Sequence, residues 1–174
     1  MQPLRIALVP LFVVMTAATA CAAPASETDA ARAARYTVAL EKDPLGNKAP
    51  DQRQWLLLWV TETPDFNVTA CDVLGEGQKV GAPYSAELLA QQIFGNVAYQ
   101  IANPRGGRDE ITLQMAGVES TLRAYKAILA RDPTARVPYL DSLLEKQRSG
   151  ELKQFMKPII VQRCLTADVE TQDA

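Results

Sequence analysis

The chain has 174 residues, 48% of them apolar, with 18 basic and 20 acidic groups and a net charge of −2. That apolar share supports a packed core and argues against a disordered chain, while a weakly acidic balance without a basic block argues against nucleic acid and anionic lipid as partners. Histidine is absent, so no Ser-His-Asp or Cys-His arrangement can be assembled.

In chain order, Arg5 leads an almost unbroken apolar run, Ile6–Met15, followed by Thr16-Ala17-Ala18-Thr19-Ala20-Cys21. A positive start, an apolar middle and a small-residue end are the parts of a secretory signal. The run is about half of what a bilayer span needs. Residues 1–22 are therefore expected to be a cleaved signal, placing the protein in the bacterial periplasm or outside the cell. Arg5 is the only charge it carries, so the remainder nets −3. Two endings fit. Cleavage after Ala22 discards Cys21; cleavage after Ala20 makes Cys21 a lipidated first residue and the one route to a membrane. The segment resembles a bacterial lipoprotein signal at Thr19 and Ala20, with Ala18 where such signals usually carry Leu.

A single helical domain is expected over residues 26–165. Its first helix runs Asp29–Lys42, with Ala31, Ala34, Val38, Tyr36 and Leu40 inward, and Asp43-Pro44 stops it because a residue before proline leaves helical geometry. Pro50 can open the second helix, whose run Trp55-Leu56-Leu57-Leu58-Trp59-Val60 is apolar all round and predicts a helix buried at the centre of the fold. A buried strand is the rival reading, since six apolar residues in a row carry no period. Residues 65–83 predict a long irregular loop, a kind of segment that often carries function.

The third helix, Pro83–Asn103, presents Leu89, Ile93, Val97 and Ile101 four apart. The fourth, Asp109–Arg131, repeats Ile111, Met115, Val118, Leu122, Tyr125 and Leu129 at spacings of four and three, the seam of helices packed at a shallow angle. A fifth spans Pro138–Arg148. A sixth spans Glu151–Leu165, with Pro158 expected to kink it. Residues 166–174 read as a disordered tail. The fold class is all-α: one compact bundle of five or six helices with one long irregular loop and a disulfide. Cys71 and Cys164 are the expected pair, as two cysteines outside the cytoplasm oxidise readily.

Tyr36–Pro44 and Tyr125–Pro133 share Tyr, Leu, basic, Asp and Pro positions. Each resembles the closing half of a tetratricopeptide repeat. Their separation does not fit that repeat's period of about 34 residues, so two helices sharing a stop signal is the reading taken.

Chemistry is thinly represented. Usual zinc sites lack ligands once the two cysteines pair, the glycines of Gly75–Gly81 have neither dinucleotide nor phosphate-loop spacing, and no cofactor is expected. Asp109-Glu110 and Glu62 with Asp65 are acidic pairs explained by helix ends, so no metal is assigned. Glu119-Ser120 resembles the Glu-Ser pair of lytic transglycosylases, which implies a buried Glu acting as acid and then base on peptidoglycan. Trp55 and Trp59, one turn apart, suit either core packing or a ligand face. Phe66 and Asn67 are the loop's candidate binding residues; Asn67-Val68-Thr69 also matches a glycosylation acceptor. The leading expectation is a non-catalytic binding protein of the cell envelope, of inhibitor, immunity or adaptor type, with an envelope protein as partner. The alternatives are the Glu119 enzyme and a carrier of small apolar ligands near Trp55 and Trp59.

Overall fold

The computed structural model describes residues 27–106 and 109–165. The expected signal, Cys21 within it, and the tail 166–174 lie outside these residues. Among the described residues all regular structure is helical: α1 (Asp29–Lys42), α2 (Ala49–Glu62), a 3₁₀ turn (Gly75–Gln78), α3 (Ser85–Ala102), α4 (Glu110–Arg131), α5 (Pro138–Ser149) and α6 (Leu152–Ile160), closed by a π turn, Val161–Leu165.

Local chemistry accounts for the ends. Thr28 caps α1 through its hydroxyl, 3.2 Å from the Ala31 N–H, and Asp109 caps α4 by accepting from Thr112 N–H at 3.0 Å. Hydrogen bonding from Thr112, by its side chain first and its N–H second, holds the Asp109 carboxyl below its ordinary range. Asp43 and Asp132, each followed by proline, close α1 and α4. Gly150 ends α5 at φ 79°, a left-handed position that suits glycine. In α6, Pro158 offers no N–H, and the chain beyond it loosens into the π turn. No described helix is long and apolar enough to cross a membrane.

Packing sorts the helices into two apolar cores. One gathers Val118, Leu122, Tyr125 and Ile128 of α4 with Leu140, Leu143, Met156 and Ile160. The other gathers Ala33 and Leu40 of α1, Leu56 of α2 and Phe94 of α3. They meet where α3 lies along α4, the most extensive helix pair in the fold. Two glycines permit the approach: a Cβ on Gly117 would sit 2.6 Å from the Gln92 carbonyl oxygen, and one on Gly95 would run into Ser120.

Three expectations need correction. Trp55–Val60 is not the centre of the fold. Among the described helices, α2 packs on α1 and α3 alone, so one stripe of the run is covered: Leu56 is buried, Trp55, Trp59 and Val60 are half-buried, and Leu57 and Leu58 are 41% and 56% exposed. On α1 the inward residues are Ala33, Thr37 and Leu40, while Ala31 and Val38 are exposed. On α3 the face is turned by about one residue. Leu88, Gln91, Gln92, Phe94, Asn96 and Gln100 are buried and Leu89 is exposed, because the α3–α4 seam is polar.

Cys71 and Cys164 are joined, with Cα atoms 5.5 Å apart and a sequence separation of 93. The bond ties the first half of the long loop to the π turn. Arg163 and Asp72 pair beside it at 3.1 Å.

Candidate functional site

The run on α2 and the loop after it build a ladder of rings. Trp55 and Trp59, four residues apart on one helix face, stack nearly parallel with centroids 5.8 Å apart. Tyr36 of α1 meets Trp55 edge-on at 5.4 Å, and Phe66 leans on Trp59 at 5.7 Å. Arg32 lies over Trp55 at 5.2 Å and Arg35 over Tyr36 at 4.8 Å, where the ring faces attract the cations. Glu27 takes both guanidinium arms of Arg35, which holds its carboxyl below the ordinary range. Leu58, three residues from Trp55, extends this apolar strip across the exposed side of α2. Of the residues singled out from sequence, Trp55, Trp59 and Phe66 are thus brought into one surface. Asn67 is not part of it: its side chain is exposed and its carbonyl faces α3.

A second cluster sits where α1 crosses α3 and α4. The Glu41 carboxylate accepts from Ser120 Oγ at 2.6 Å and from both Arg123 arms at 2.8 Å, while Gln91 donates to Ser120 at 2.9 Å. The pairing holds the Arg123 guanidinium more strongly basic than usual. A cleft of about 260 Å³ opens here, lined by Val38, Ala98, Tyr99, Glu119 and others. Glu119 stands exposed on its rim, without the burial that the Glu-Ser resemblance implies. It is Ser120 that is buried, and it serves Glu41.

The third feature was not anticipated. Gln92, Asn96 and Gln100 form a stripe on α3 at intervals of four, beside Gln114 of α4, and all four are buried. Each glutamine donates one N–H to the extended segment 67–71: Gln100 to the Asn67 carbonyl at 3.0 Å, Gln114 to Thr69 at 2.6 Å, Gln92 to Cys71 at 3.5 Å. Each donates another to a neighbouring side chain: Gln100 to Asn96, Gln92 to Gln114, Gln114 to Glu110. Amides recurring every four residues from 92 to 100 carry this signal in the sequence, but a search for apolar periods passes over it.

Donor atoms for a metal cluster at one place: Cys71, Cys164 and Glu110 lie within 4.8 Å of one another. The two sulfurs are bonded to each other, so neither is a thiolate ligand. No protein-family model, curated protein or solved structure matches this chain.

Proposed function

We propose that this is a non-catalytic binding protein of the bacterial cell envelope, of the inhibitor, immunity or adaptor type, which docks a protein partner on the outer face of α2. The observation that carries the reading is the exposure of Leu58, three residues from Trp55, beside the Tyr36-Trp55-Trp59-Phe66 ladder, with Leu57 exposed further round the same helix. Apolar and aromatic surface gathered on α2 and its neighbours, with Arg32 and Arg35 laid over the rings, has the residue make-up of a protein interface, in which aromatic residues and arginine are enriched. The disulfide is compatible with an oxidising compartment, and the leader is the reason to place the protein in the periplasm or outside the cell.

Replacing Leu57 and Leu58 together by glutamate tests this. Both are exposed, so the thermal midpoint is expected to move by no more than a few degrees. Captured from gentle envelope extracts, the wild-type protein is expected to bring down a stoichiometric partner that the double variant loses at least tenfold. Identical capture by the two proteins, or no partner with either, overturns the reading.

A further inference from the structure

The segment 67–71 lies against α3 and α4 as a bound peptide would. Its carbonyls at positions 67, 69 and 71 face the helices, alternate residues of an extended chain, spaced by about 6.7 Å. Helix positions 92, 96 and 100 are four residues apart, a rise of about 6 Å per step. The two repeats match closely enough to stay in register over these two steps. Gln100 meets Asn67 at one end and Gln92 meets Cys71 at the other. The middle position, Asn96, belongs opposite Thr69, but Gln114 holds that carbonyl. Asn96 Nδ2 is left buried with no partner, beside a cavity of about 10 Å³ lined by Val68, Thr69, Ala70, Leu89, Ile93 and their neighbours. The face therefore offers more donors than its present occupant uses, and such a buried donor is costly to leave unpaired. The grip is on backbone oxygens, so it selects an extended chain with a small apolar side chain at the second position, where Val68 is half-buried, and leaves the fourth, the exposed Ala70, free to vary.

One end of the occupant is fastened covalently, through Cys71 to Cys164. We propose that the amide face of α3 and α4 is a receptor for extended peptide, filled by this chain's own residues 67–71 and opened when a dithiol reduces the Cys71–Cys164 bond. In that step the dithiol closes to a cyclic disulfide, and its two electrons and two protons pass to the protein sulfurs, leaving two thiols. The face is distinct from the α2 surface, so either proposal can fail alone.

The test uses the full protein purified with the bond intact, with and without dithiothreitol. The side-chain amide protons of Gln92, Gln100 and Gln114, which donate to the segment, are expected to exchange at least tenfold faster by NMR on reduction while the backbone amides of α3 and α4 keep their protection. A labelled peptide of residues 64–72, with serine in place of Cys71, is expected to bind the reduced protein at least tenfold more tightly than the oxidised one. The same peptide with aspartate at position 68 is expected not to bind. Unchanged exchange of the glutamine side-chain protons, loss of backbone protection in α3 and α4 together with it, equal peptide binding in the two redox states, or binding of the aspartate peptide each overturns the proposal.

Discussion

Glu41 shows how much one side chain holds in this molecule. Its carboxylate is only 11% exposed and joins α1 to α4 through Ser120 and both arms of Arg123. Hydrogen bonds to a charged group are worth about 1.5–3 kcal/mol, and removing the acceptor leaves the buried Ser120 and the Arg123 charge without it. Glu41→Ala is expected to cost about 2–3 kcal/mol in urea unfolding. Arg123→Ala is expected to cost about 1 kcal/mol, because its side chain is half exposed and water takes over. Equal losses from the two would mean that α1 is held by the salt link alone. None of this was legible in sequence: Glu41 and Ser120 lie 79 positions apart, and only the fold pairs them. The aromatic residues were easier to find. Trp55, Trp59 and Phe66 stood out by type, yet whether they face core or solvent depended on how many neighbours α2 has.

For whole elements, the signals that local chemistry carries were readable and the signals that packing decides were not. The prolines and aspartates closing α1, α2 and α4 act within one turn of chain, so helix ends follow from sequence to within a residue or two. The inward face of α4 was legible because its apolar seam is long and regular. The face of α3 was misread because nearly half of what it buries is amide, and of the apolar period at 89, 93, 97 and 101 only Val97 is fully buried. Polar groups can line such a seam only when each finds a partner, and that takes close backbones. Gly117→Ala tests the closeness. Alanine favours helix over glycine by about 1 kcal/mol, but its Cβ would lie 2.6 Å from the Gln92 carbonyl oxygen, backbone that cannot give way cheaply. Overpacking costs about 1–3 kcal/mol, so the expected result is a net loss of about 1–2 kcal/mol in chemical denaturation. A gain in stability would show that α3 can move away from α4.

Across the molecule, the titrating groups lie at the two ends of the pH scale. The chain has no histidine, and the two described cysteines are bonded. Glu27, Asp109 and Asp132 are held below their ordinary values, Glu27 by Arg35, Asp109 by Thr112, and Asp132 by Thr134 and Tyr84. A depressed carboxyl adds stability that is complete above its unfolded value, 4.5 for Glu27 and 3.8 for the two aspartates. That stability is lost as pH falls through the lower folded value. Tyr125 and Tyr139 are pushed above 10.0 by burial, and Tyr84 by its hydrogen bond to Asp132. For these the sign reverses. The unfolded chain ionises first, so stability drains away as pH rises past 10.0. Between the two limbs no described side chain has an ordinary value. The thermal midpoint is therefore expected to stay level from about pH 5.5 to about pH 9 and to fall on either side. Asp132→Asn should lower the plateau, because the stability its carboxylate adds there is removed, and should soften the acid limb. A step in the midpoint near pH 6.5, where histidine would titrate, has no residue here to produce it, and finding one would mean that a group outside residues 27–165 couples to folding.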